Sequence, residues 1–311
     1  MPIQSQLTRL ARAVCAAIST ISTIIAMSVI SALSSSAHAD TLGKIRDSKT
    51  ITIAHREASL PFSYFDENKK PIGYSIDLCL KIVEAIKHEL KLPKLTVLYV
   101  PVSPSTRIAT IMQGKADLEC GSTTNNAERR KQVAFTIPHF MAASRMVVRT
   151  DSNIKNWNDL RGKRVVTTKG TTSVKLISDH NKGLALAISL VEANDHAESF
   201  GKVEKNEADA FPMDDVLLYG LRAKAKTPAN FEVVGSPIST EPYAIMMAKD
   251  DPAFKALVDL EMARLINDGE LSKIYDKWFK KPIPPNGINM NMPMGHLLRD
   301  TLLFPTDKVG D

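Results

Sequence analysis

The strongest constraint on this 311-residue chain is an alternation of strand and helix signals that runs its course and then starts again. In the first pass, residues 50–54 are rich in β-branched side chains and read as a strand. Ser75 stands where a helix cap is expected, ahead of Ile76, Leu80, Val83, Ile86 and Leu90 at helical spacing. Residues 96–100 read as a second strand, 107–112 as a helix and 116–119 as a third strand. The pattern then restarts. Residues 157–162 form a turn-bounded helix, 164–167 a strand, 171–180 a helix and 188–191 a strand. Asp195 caps a helix carrying Phe200 and Val203, and 208–211 is the last strand of the series. Such alternation predicts mostly parallel sheets, with ligands beyond the carboxyl ends of the strands. Two passes predict two similar α/β lobes. Helices over 252–267 and 271–279 follow, and the proline-rich residues 282–285 begin what reads as an extended tail.

Residues 1–39 stand apart from this pattern. Arg9 and Arg12 give a positive start, residues 14–33 are uncharged and largely apolar, and Ala37-His38-Ala39 is a small-residue cleavage pattern. Removal after Ala39 would leave an exported chain beginning at Asp40; the competing reading is an uncut membrane anchor. Basic side chains number 40 against 34 acidic ones, a mild and scattered excess with no basic tract that would favour nucleic acid. The seven histidines are dispersed, with no spacing suited to a metal. Export would place Cys79 and Cys120 in an oxidising compartment, where two thiols usually pair; two buried free thiols are the alternative.

Residues 117–130 carry the clearest functional signal. A strand runs into Gly121-Ser122-Thr123-Thr124, and Asn125 or Asn126 can cap a short helix holding Glu128, Arg129 and Arg130. Hydroxyls, free backbone N–H groups and a guanidinium thus meet at one strand-to-helix corner, a set suited to a carboxylate. A polar turn with solvated arginines is the plainer reading. The corner resembles the matching segment of periplasmic amino-acid-binding proteins, in particular glutamate/aspartate receptors of ABC importers (family 3 extracellular solute-binding proteins). The resemblance runs from about Leu42 to residues 289–292. It takes in His55-Arg56-Glu57, Pro61-Phe62-Ser63-Tyr64, Gly73-Tyr74-Ser75, Gly170-Thr171-Thr172-Ser173, Asp195-His196, Met213-Asp214-Asp215 and Trp278-Phe279-Lys280. It implies a type II periplasmic binding fold, two α/β lobes joined by two hinge strands near 144–149 and 243–248, with the ligand cleft between them. The implied division is lobe 1 from 40–145 plus 246–311 and lobe 2 from 146–245.

An α-amino acid presents one carboxylate and one ammonium. Arg129 suits the carboxylate, with Thr124 as an added donor; Ser122 can accept from the ammonium, and Asp214 can neutralise it. The resemblance implies that Arg56 and Arg107 grip the distal carboxylate of an acidic side chain, and that Thr172 and His196 contact the ligand from the second lobe. Thr171 and Thr172 also begin a helix, whose free N–H groups favour an anion. Each residue has a simpler alternative: Arg56 paired with Glu57, Arg107 solvated, His196 satisfied by Asp195, Asp214 and Asp215 as an acidic helix start. Three arginines against Asp214 alone leave an excess of positive charge that a neutral amino acid would not match. Pro104 and Pro212 depart from the usual pattern and bear on affinity.

The function this implies is capture of L-glutamate or L-aspartate in the periplasm by a monomeric receptor without cofactor or metal. The receptor would deliver the ligand to the membrane permease subunits of an ABC importer. No Gly-x-x-x-x-Gly-Lys-Ser/Thr loop is present, so ATP hydrolysis falls to another subunit. The alternatives are a receptor for another polar amino acid such as glutamine, or an exported enzyme on the same scaffold. For an enzyme, Glu57 and Glu119 are the acid–base candidates, although ion pairing and solvation at a strand end explain them more simply.

Overall fold

The computed structural model describes residues 40–309, so the expected signal segment lies outside the described residues. Helix α1 (Thr41–Ser48) is capped by Asp40, whose carboxylate accepts from the Gly43 N–H at 2.8 Å. Strand β1 (Thr50–His55) follows, then β2 (Ala58–Ser59), β3 (Ser63–Phe65) and β4 (Pro71–Ile72), which make a small antiparallel sheet. Helix α2 (Tyr74–Glu89) buries Ile76, Cys79, Ile82, Val83 and Ile86 on its apolar face.

Ser75 does not cap α2. The helix starts at Tyr74, two residues earlier than that cap would set it, after Gly73 at φ +141°, where a Cβ would lie 2.1 Å from the Phe62 carbonyl oxygen. Ser75 is therefore inside the first turn, and its hydroxyl donates to the Gly121 carbonyl at 2.7 Å. The expected cap is instead an anchor for the corner that follows Cys120.

Next come β5 (Thr96–Pro101), α3 (Arg107–Met112), β6 (Leu118–Cys120), α4 (Ala127–Arg130) and β7 (Val133–Phe135). Strand β8 (Phe140–Arg149) leads to a 3-10 turn at Trp157–Leu160, where a helix was expected, closed by a capping box between Asn156 and Asp159. The second pass is β9 (Arg164–Thr168), α5 (Thr172–Leu184), β10 (Ser189–Ala193), α6 (His196–Glu204), β11 (Ala210–Asp214), α7 (Asp215–Lys224) and β12 (Phe231–Val234). Asp195 caps α6 as expected, accepting from the Glu198 N–H at 2.8 Å. The chain then runs through β13 (Thr240–Tyr243), β14 (Met246–Ala248), α8 (Pro252–Asn267), α9 (Glu270–Phe279) and α10 (His296–Leu303).

Two sheets result. The first has the order β5-β1-β6-β14-β7, with β1 parallel to β5 and β6, and β14 antiparallel to both neighbours. The second has the order β10-β9-β11-β8-β12, with β9 parallel to β10 and β11, and β8 antiparallel. The chain passes between them twice, along β8 and along β13 to β14. The start of β8 and β13 pair antiparallel, from Ala143↔Thr240 to Phe140↔Tyr243. That is earlier than the expected 144–149, because Ser144 to Arg149 are already committed to ladders with β11 and β12.

An aromatic cluster is built around the start of β8. Phe140 stacks on Phe279 at 5.0 Å, Tyr275 stacks on Phe279 at 4.3 Å, and Phe62 meets Phe140 edge-on at 4.9 Å. Offset and edge-to-face pairs of this kind add about 0.5–1.5 kcal/mol each beyond their burial. His139 lies within the cluster, fully buried, its ring 5.4 Å from that of Tyr74.

The C-terminal residues are more ordered than an extended tail. Ile283 bridges to Ile288, α10 packs on β8, and Asp307 receives Lys255 at 2.8 Å and the Asn125 side-chain amide at 3.2 Å. Cys79 in α2 and Cys120 at the end of β6 form a disulfide.

Candidate functional site

Every candidate residue lies at the carboxyl end of a strand or the first turn of a helix. Arg56 follows β1, Arg107 opens α3, Ser122 and Thr124 follow β6, and Arg129 lies in α4. From the second sheet come Thr172 at the start of α5, His196 at the start of α6 and Asp214 at the end of β11. Asn126, not Asn125, caps α4, its side-chain oxygen accepting from the Arg129 N–H at 3.0 Å. Asn125 instead accepts from Arg130 at 3.0 Å and donates to the Asp307 carbonyl.

Three guanidiniums are buried here: Arg56, Arg107 and Arg129 are 1 %, 2 % and 7 % exposed. Arg56 is positioned by its own N–H, which donates to Ser63 Oγ at 2.8 Å. Its Nη1 has no hydrogen-bond partner among the described residues, and exposed Glu57 does not supply one. Arg107 Nη1 donates to Thr123 Oγ1 at 2.7 Å and to the Ser122 carbonyl at 3.2 Å. Arg129 Nη1 donates to the Thr124 carbonyl at 2.8 Å, and its Nη2 reaches the Gly170 carbonyl at 3.3 Å. Burial, then the neighbouring charge of Arg107, pushes Arg56 and Arg129 each down to about 9. Both remain cationic at neutral pH. The three charges are therefore close enough to feel one another, and none is a solvated surface arginine.

The acids opposite them are also buried. Burial raises Asp214 above the ordinary carboxylate range, and the nearby Glu241 adds to the shift. The Tyr243 hydroxyl donates to Asp214 and opposes it. Asp215 turns away: its carboxylate accepts from the Ala143 N–H at 3.2 Å and from the Val216 N–H at 2.8 Å. Thr172 Oγ1 donates to Glu241 at 3.0 Å, and Glu241 also accepts from Ser239 at 2.7 Å. His196 is not satisfied by Asp195. Its Nδ1 lies 3.0 Å from Thr168 Oγ1, and burial followed by the charges of Arg56 and Arg107 holds it well below its usual value, hence neutral.

Two sequence readings need correction. Glu119 is not solvated at a strand end; it is fully buried and accepts from Thr123 Oγ1 at 2.6 Å. Glu241, together with Tyr243 two residues on, was not among the candidates, although alternation along β13 places both on one face. With Glu119 and Glu241 included, the surplus of positive charge is smaller than three arginines against Asp214 would give. Pro104 is buried, and the flanking Ser103 and Ser105 hydroxyls bond each other at 2.9 Å. The Pro104 carbonyl lies against Gly170, where a Cβ would come within 2.6 Å of it. Pro212 sits within β11 opposite Met146.

Two α/β sheets joined by a pair of crossing strands, with buried arginines and acids gathered at their strand ends, define a type II solute-binding protein. Residues 51–281 match the family model of bacterial extracellular solute-binding proteins, family 3, and the chain belongs to that family. It is 50 % identical over 272 residues to the L-glutamate/L-aspartate-binding protein of Pseudomonas aeruginosa, covering 87 % of this chain and 90 % of that one. It is 44 % identical over 275 residues to the glutamate/aspartate import solute-binding protein of Escherichia coli K12, covering 88 % and 91 %. A crystal structure of a mutant of ArgBP from T. maritima is 24 % identical, with a TM-score of 0.69 over 77 % of this chain and 99 % of that one. That last likeness speaks for the fold.

Proposed function

We propose that this chain, freed of residues 1–39 by cleavage after Ala39, is a monomeric periplasmic receptor for L-glutamate and L-aspartate. It would hand the ligand to the permease subunits of an ABC importer and perform no chemistry on it. The observation that carries this reading is the set of three buried guanidiniums opposite Asp214. The names borne by the relatives at 44–50 % identity support it.

In this reading Arg129 and Thr124 take the α-carboxylate, Asp214 and Ser122 the ammonium, and Arg56 and Arg107 the distal carboxylate, with Thr172 and His196 completing the wall. A neutral His196 can donate or accept without adding charge, which suits a wall residue. Guanidinium–carboxylate bonds in a dry site are short and strong, and a neutral side chain would leave buried charge unmatched. The lobes, 40–145 plus 246–311 and 146–245, would close on the ligand because only the closed form lets both sides touch it. The Arg129–Gly170 hydrogen bond and the Pro104–Gly170 contact are the kind of bridge such closure makes.

Calorimetric titration of protein 40–311, unfolded and refolded to remove carried-over ligand, tests the proposal with glutamate, aspartate, glutamine and arginine. Tight binding of the first two alone is expected. Glutamine binding as tight as glutamate would overturn the assignment of Arg56 and Arg107, and turnover of any bound compound would overturn the non-enzymatic reading.

A further inference from the structure

Glu119, 0 % exposed, is the most deeply buried carboxylate among the described residues; the ligand assignment above does not use it, and its charge acts on both arginines meant for the distal carboxylate. It lies on the central strand of the first sheet, between Ala54 of β1 and Met246 of β14. Its Oε2 accepts from Thr123 Oγ1 at 2.6 Å, and the same hydroxyl oxygen accepts from Arg107 Nη1 at 2.7 Å. A hydroxyl has one proton to give and lone pairs to receive, so this is a directed relay from carboxylate through Thr123 to guanidinium. Glu119 also faces Arg56. A Cβ on Gly121 would lie 2.3 Å from Glu119 Oε1 and 2.8 Å from Arg56 Cγ, so the missing side chain is what lets these two share the space. Among the described residues neither Glu119 Oε1 nor Arg56 Nη1 has a hydrogen-bond partner.

Two guanidiniums buried side by side repel one another, and a side-chain carboxylate of a ligand supplies a single negative charge. An unbalanced second charge in a dry site is costly and would recruit small anions from solution. We propose that Glu119 is a specificity-determining positioning residue, a resident counter-ion that leaves the Arg56–Arg107 pair with one unmatched positive charge, the complement of one ligand carboxylate. This rests on the acidic-amino-acid reading of the site. Through Thr123 it also fixes the direction in which Arg107 points.

The test uses refolded protein 40–311 and the variant Glu119→Gln, which keeps an acceptor for Thr123 and removes the charge. Melting is followed without amino acid while chloride replaces gluconate at constant ionic strength. The Glu119→Gln midpoint should climb with chloride by several degrees while wild type stays level. Glutamate affinity of the variant should drop by about tenfold on the same exchange, as chloride competes for the extra charge. An equal chloride response in both proteins would overturn the proposal. Should Glu119→Gln fail to fold, the double variant Glu119→Gln/Arg56→Gln restores the charge balance. Recovery of folding and loss of the chloride response support the proposal; a double variant no better than the single one overturns it. A wild type that binds neither glutamate nor aspartate would defeat the functional reading, while the amino-acid-free chloride series still decides the role of Glu119.

Discussion

Tyr243 donates its phenolic hydrogen to Asp214, so a hinge-strand residue holds the carboxylate that ends β11. That carboxylate is raised by burial and by Glu241, so it retains a proton at pH values where an exposed aspartate would have lost it. An ammonium placed against it would pull its pKa down again. Binding therefore releases a proton. Affinity rises with pH while Asp214 is protonated in the free protein and ionised in the complex, and levels off once both are ionised. Calorimetry in buffers of different ionisation enthalpy should detect this release between about pH 6 and about pH 8. Tyr243→Phe removes a bond that favours the ionised form and should move the rise to higher pH. Affinity independent of pH across that range would contradict the assignment of Asp214.

The arginines should separate by ligand. Arg129→Ala is expected to abolish binding of every amino acid tried, because it serves the carboxylate they all share. Arg56→Ala or Arg107→Ala should weaken glutamate and aspartate by at least ~2 kcal/mol, the scale of a lost buried charge pair. Titration of each variant against the same ligands distinguishes the two patterns.

Gly170 tests closure. A methyl group there would meet the Pro104 carbonyl oxygen and the Ser105 Cα, each at 2.6 Å, and neither can move aside as a side-chain end would. Gly170→Ala should weaken binding by more than about tenfold. Its positive φ of +75° adds strain of its own, about 1 kcal/mol for a residue with a Cβ. Gly162 has a similar φ of +69° with open space around it, so Gly162→Ala measures the strain alone. Equal effects of the two substitutions on affinity would dismiss the contact.

His139 should govern part of the response to acid. Burial pushes it down to about 3, and neither ring nitrogen has a hydrogen-bond partner among the described residues. An unfolded chain takes up the proton near pH 6.5 and the folded one does not, so stability is full above that value and is lost as pH falls toward 3. The loss amounts to about 1.4 kcal/mol per pH unit in that window. His55 and His196 are lowered too and act in the same direction. Melting of wild type and His139→Phe at about pH 7 and about pH 5 isolates the share of His139. The variant should lose less between the two.

The alternation of strands and helices was legible because it is a local property, written in spacing and in caps such as Asp195. The cluster of arginines was legible through motif order, since each lies just past a strand or at a helix start. Glu119 was not. A glutamate at a strand end ordinarily faces water, and the two cations this one lies near are brought by α3 and by the turn after β1, far from it in sequence. Glu241 and Tyr243 were hidden for a related reason. They sit on a strand whose sequence, Glu-Pro-Tyr, gives no hint that β8 and β11 will wrap the site around it. Ser75 misled because it has the chemistry of a cap, while the position of the helix start is decided by the backbone of Gly73. Helix α10 was missed because the prolines ahead of it signalled an end to regular structure.

Cys120 stands one residue ahead of Gly121, and its bond to Cys79 rivets that point to the flank of α2. The donors from Ser122 to Arg129 hang from this rivet, so one face of the trap is a finished mould before any solute arrives. Less freedom is then surrendered on capture, and more of the contact energy survives as affinity. The mould is also finished by oxidation, which ties the maturing of the trap to the compartment in which disulfides persist.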